Sequence, residues 1–172
     1  QAEAVIAARR KLVEGAVGMV ETALIDINEK SLAVFTPAQK VALAGTIFKA
    51  GEVTKTDQSA RYVLFDLARK VYIQAGEVDD ALRAARQLER EYEMPENDVV
   101  AATITALNEA AVVSEQRAVL ARAAADLADE LIAAGEFERA DALAAIATLS
   151  AGRQKDADLK KLASEIAGIK TG

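Results

Sequence analysis

The side chains able to do chemistry in this sequence are carboxylates, arginines, lysines, hydroxyls and three tyrosines, for it contains no histidine and no cysteine. That absence removes the Ser-His-Asp and Cys-His nucleophile arrangements and the ordinary zinc sites. It also removes the Glu-x-x-His pairs with which helical bundles hold two irons. No catalytic, cofactor-binding or metal-binding residue is expected. Carboxylates could still act in pairs, but Glu89, Glu91 and Glu93 alternate along the chain and cannot share one helical face, so they read as a solvated helix end. Asp126, Asp129 and Glu130 can meet on one surface. Arg122, one turn before Asp126, is an i,i+4 partner worth roughly 0.2–0.5 kcal/mol. Gly15 and Gly18 form a bare G-x-x-G inside a helical pattern, which suits close helix packing better than a phosphate loop. Tyr62, Tyr72 and Tyr92 have no basic patch beside them and read as packing residues rather than a platform for stacked bases.

The elements that must position these groups are helices. Apolar residues make up 52% of the 172-residue chain while aromatics make up 4%, and two prolines leave few breaks, a composition that favours long helices over strands. A chain of this length buries roughly 70% of the surface its unfolded form exposes, enough for one core. Residues 1–172 are expected to form a single all-α domain. The chain starts at Gln1 and carries no signal-peptide pattern, so it reads as a piece of a longer protein. A net charge of −6 with dispersed basic residues argues against nucleic acid, whose phosphates need a clustered positive face. The longest apolar runs, such as Val99 to Ile104, fall far short of the ~20 residues of a membrane span. Without cysteine the redox compartment cannot be read.

Helical periodicity divides the chain into about eight segments. The first has two apolar seams, one through Val13, Val17, Val20, Leu24 and Ile27 and another through Val5, Leu12 and Met19, and so packs on two neighbours. Thr36-Pro37-Ala38-Gln39 combines an N-cap threonine, a proline at the first helical position and a capping-box glutamine, predicting a helix from Pro37 to about Ala50. Asp57 caps the next, which ends at Gly76. A fourth opens at Val78 with Asp79 and Asp80 in its first turn and arginines later, the order that suits the helix dipole, and Pro95 stops it. Segments around Val100 to Ala111, Leu120 to Leu131, from Phe137, and Leu159 to Ile166 complete the series, with Gly152 as the last break.

Ala-Gly-Glu-apolar occurs three times, at Ala50 to Val53, Ala75 to Val78 and Ala134 to Phe137. Each glycine is expected to end a helix in the left-handed conformation, and each glutamate to place a negative charge at the next N-terminus. This predicts antiparallel helix pairs over 37–75, 58–93 and 115–150, with Tyr72 contacting the helix that starts at Val78.

Gly-Glu-Val-Asp-Asp-Ala-Leu at 76–82 and Gly-Glu-Phe-Glu-Arg-Ala at 135–140 resemble the turn of a tetratricopeptide-type repeat. In that register Phe65, Ala68 and Tyr72, and again Leu127, Ala128 and Leu131, take the packing positions of the repeat's first helix. The chain departs from the pattern in having no tryptophan and no terminal proline, and its turns are unequally spaced. The run from Asp57 to Leu64, the Ala-Gly-Glu turn and Ala81 to Ala84 are also similar to uncharacterised helical regions of large planctomycete-type bacterial multidomain proteins. The resemblance implies a short irregular α-solenoid or right-handed superhelix, a spacer or docking module beside other domains, and an extracytoplasmic setting. It further implies a groove lined by Asp66, Lys70 and Ile73 and by Arg122, Asp129 and Ile132, mixed in charge, for a protein or peptide. The expectation is thus a non-enzymatic helical-repeat scaffold. The alternative is a self-associating bundle, a homodimer packed through the two-seamed first segment.

Overall fold

The computed structural model describes residues 35–110 and 112–152. Their regular structure is entirely helical: α1 (Pro37–Val53), α2 (Gln58–Ala75), α3 (Val78–Glu91), α4 (Asp98–Glu109), α5 (Ser114–Ala133) and α6 (Phe137–Gly152). The segments expected over Val5–Ile27 and Leu159–Ile166 lie outside the described residues, as do Gly15, Gly18 and Ala111.

The local start signals act as their chemistry dictates. Thr36 Oγ1 accepts from the Gln39 amide at 3.3 Å while Gln39 Oε1 accepts from the Thr36 amide at 2.9 Å, closing the capping box ahead of Pro37. Asp57 accepts from the Ala60 amide at 2.9 Å and opens α2. Two of the three glycine turns form as expected. Gly76 has φ +71° and Gly135 φ +80°. In the first, the Gly76 amide donates to the Ile73 carbonyl and the Glu77 amide to the Tyr72 carbonyl, both at 3.0 Å. In the second, Gly135 donates to Ile132 at 3.0 Å and Glu136 to Leu131 at 2.8 Å, the same paired closure of a helix end.

The third copy does not turn. α1 runs through Gly51 to Val53, where the Thr54 amide and hydroxyl both donate to the Ala50 carbonyl, at 3.1 and 2.7 Å. Gly51 serves instead as a gap on the helix surface, because a Cβ there would lie 2.8 Å from Phe65 Cε1. Pro95 likewise is not the stop for α3, which ends at Glu91. The chain then passes through two left-handed non-glycine residues, Glu93 (φ +47°) and Asn97 (φ +66°), with Pro95 between them.

Helices α1, α2 and α3 lie antiparallel in sequence. Phe48 and Phe65 pack with ring centroids 5.0 Å apart, Tyr62 meets Tyr92 edge-on at 5.1 Å, and the Tyr72 hydroxyl lies near Arg83 of α3. α5 and α6 form the other closely packed pair, and α4 touches α2, α3, α5 and α6. Phe65, Tyr72, Leu88, Ile104, Leu107, Leu120 and Leu131 are fully buried, each contributing about 1.5–3 kcal/mol relative to exposure. Alanines 68, 81, 84, 85, 124 and 128 at the helix contacts let the backbones approach closely.

Candidate docking surface

The expected groove residues fall into two separate settings. On α2, Asp66 is tied to its own helix: Arg69 Nη2 reaches it at 2.6 Å and Lys70 Nζ at 2.7 Å. Burial pushes the Asp66 carboxyl up, but the hydrogen bonds and charges of Lys70 and Arg69 outweigh it and hold the pKa below the usual carboxylate value. Arg69 Nη1 also donates to the buried Thr103 Oγ1 at 3.1 Å, so this cluster joins α2 to α4. Lys70 is exposed and Ile73 half-buried against the core.

On α5, Arg122 and Asp129 are exposed and Ile132 is half-buried against the core. Arg122 lines a cleft of about 360 Å³ between α5 and α3, together with Asp79, Arg86 and Asp126 over an apolar floor of Leu82 and Val119. A second cleft of about 480 Å³ lies on the other side of α3, lined by Arg83, Arg86, Arg90, Glu96 and Asn97. None of the other five expected groove residues lines either cleft. The structure therefore brings Asp66 and Lys70 together and sets Arg122 in a separate cleft beside α3.

Several polar residues do work that the sequence pattern concealed. Glu89 and Glu91 are not a solvated helix end. Glu89 Oε1 accepts from the Val99 and Val100 amides at 2.7 and 3.0 Å, capping α4 from another helix, while Glu91 pairs with Arg61 at 2.6 Å with side chains only 19% and 20% exposed. Only Glu93 of the three is solvated. Gln116, in the first turn of α5, is a second such bridge: its Oε1 accepts from the Val78 amide at 3.1 Å and its Nε2 donates to Glu77 Oε1 at 3.2 Å. Neither Asn97 nor Glu77 caps its own helix with its side chain, so these amides are served from another helix.

Glu77 also revises the dipole argument made for the turns. Burial first, then the charges of Asp80 and Asp79, push its pKa above the usual value, and the Gln116 hydrogen bond opposes them only in part. A folded-state pKa raised above the unfolded one means that the ionised carboxylate disfavours the fold at neutral pH, an effect relieved as pH falls through the raised pKa. Glu77→Gln, which removes the charge and keeps an amide oxygen to accept from Gln116, is expected to raise the urea midpoint at pH 7. That gain disappears in acid, where glutamate itself is protonated; a midpoint lowered at pH 7 would mean that dipole attraction dominates after all.

Among the described residues no group of three or more acidic side chains is placed to hold a metal ion, and no helix is long and apolar enough to cross a membrane. No protein-family model, curated protein or solved structure matches the chain.

Proposed function

We propose that this chain is a non-enzymatic helical-repeat module of tetratricopeptide-like character, a short solenoid that spaces neighbouring domains or docks a protein or peptide. The observation that carries the reading is the repetition of one turn. Gly76 and Gly135 share the same left-handed closure, each is followed by glutamate and an apolar residue, and each is succeeded five positions on by a buried alanine, Ala81 or Ala140. The preceding helices bury Phe65, Ala68 and Tyr72 in one case and Leu127, Ala128 and Leu131 in the other. On this reading Lys70 and Arg122, the exposed cations on the first helix of each hairpin, make the first contacts with a partner, and Asp66 holds Lys70 in place.

The test uses the turns themselves. Alanine at a left-handed position costs about 1–2 kcal/mol from its Cβ alone. A Cβ on Gly135 would meet nothing within 4 Å, so Gly135→Ala isolates that cost. Gly76→Ala and Gly135→Ala are each expected to lower stability by about 1 kcal/mol in urea unfolding. In a solenoid, stability is a sum over neighbouring units, so Gly135→Ala should speed amide exchange in α5 and α6 and leave α1 to α3 nearly unchanged. Stabilisation by either substitution, or acceleration spread equally over all six helices, would count decisively against a repeat module.

A further inference from the structure

The outer face of α3 carries a charge pattern that is its own complement. Asp79 and Arg86 lie seven residues apart, two turns or about 10.5 Å along the axis, and both line both clefts that flank the helix. Both are exposed, and among the described residues neither makes an ion pair. The other charges on this face of α3 are already engaged. Arg83 pairs with Asp80 at 2.8 Å and lies over the Phe48 ring at 4.7 Å, drawn toward α1, while Glu89 is held by the amides of α4. Arg90, one turn beyond Arg86, donates to Gln87 at 2.5 Å, which leaves Asp79 and Arg86 as the unengaged acid and base of the ridge.

A helix presenting an unengaged acid and an unengaged base two turns apart can match a second copy of itself laid antiparallel. A two-fold axis passing midway between them sets Asp79 against the partner's Arg86 and Arg86 against the partner's Asp79, the reciprocal contact that an isologous interface requires. The ridge also has somewhere to go, since the α3–α5 cleft beside it has an apolar floor in Leu82 and Val119. We propose that this chain forms a two-fold dimer in which α3 of each copy lies antiparallel against the other and enters its α3–α5 cleft, registered by the Asp79–Arg86 pairs. The proposal does not depend on the repeat reading, because it invokes one helix and one cleft rather than any periodicity.

Sedimentation velocity over a wide concentration range at low salt tests it with the full chain. The parent is expected to show a reversible dimer that weakens as salt is raised. Asp79→Arg and Arg86→Asp each set like charges face to face, so each variant alone should associate at least about tenfold more weakly. Mixed in equal amounts they restore both attractive pairs in a heterodimer, which should recover to within about threefold of the parent. Should a reversal variant fail to fold by circular dichroism, Asp79→Asn and Arg86→Gln read the same contacts, each with a loss of about threefold. A parent that stays monomeric, single variants that dimerise as the parent does, or a mixture that recovers nothing would each overturn the proposal. So would a dimer insensitive to all of these changes, which would assign self-association to another surface.

Discussion

Gly51→Ala is expected to destabilise the protein by up to about 2 kcal/mol, although the glycine stands in a regular helix where alanine normally gains about 1 kcal/mol. The reason lies across the helix contact. An added Cβ would sit 2.8 and 2.9 Å from Phe65 Cε1 and Cδ1, closer than such atoms are ever found, so the ring must move. Phe65 has no free direction: it is fully buried, packed on Phe48, and covered by the Arg61 guanidinium 5.4 Å from its centroid. Overpacking a filled core costs typically about 1–3 kcal/mol, which exceeds the propensity gain. A double-mutant cycle with Phe65→Leu isolates the clash, because the smaller side chain leaves room for the new methyl. Gly51→Ala should then cost clearly less in the Phe65→Leu background than in the parent. Equal costs in the two backgrounds, or a higher urea midpoint for Gly51→Ala, would show that the ring yields freely.

The same tetrapeptide pattern makes a turn twice and continues a helix once, and the difference marks the boundary of what a sequence can say. The Thr36 and Asp57 caps and the two glycine turns depend on atoms within a few residues of one another, so they could be read locally. Phe65, Ala68 and Tyr72 are buried, as the repeat resemblance implied for the first helix of its hairpin. Gly51, unlike Gly135, faces an aromatic ring from the next helix, which its own neighbours do not announce. Glu89 and Gln116 act on amides ten and thirty-eight residues away, and an alternating Glu-x-Glu pattern looks like solvated surface until α4 is placed beside it. The candidate groove shows the same division. Half-burial of Ile73 and Ile132 follows from their place in each helix, whereas the wall facing Arg122 is built from α3, whose position no spacing within α5 reveals.

Removing the cap that Glu89 provides should be the other large effect, with Glu89→Ala lowering stability by about 2–3 kcal/mol. One carboxylate oxygen accepts from the second and third amides of α4, the positions an ordinary N-cap side chain serves. Nothing local can replace it, since Asn97 at the start of α4 has φ +66° and makes no side-chain cap bond. Val100 is buried, so its freed amide would have poor access to water, and an unpaired buried donor costs about 1–3 kcal/mol. The bonds lost are charge-assisted and so roughly twice as strong as neutral ones. Glu89→Gln retains an acceptor of the same shape without the charge and should recover about half the loss. α4 contacts α2, α3, α5 and α6, so its loosening should be felt widely, and the Val99 and Val100 amides should exchange fastest. Urea unfolding of the two variants with exchange at those two amides measures this. A Glu89→Ala variant as stable as the parent, or one no worse than Glu89→Gln, would mean that water caps α4 equally well and that the contact between α3 and α4 is held by apolar packing alone.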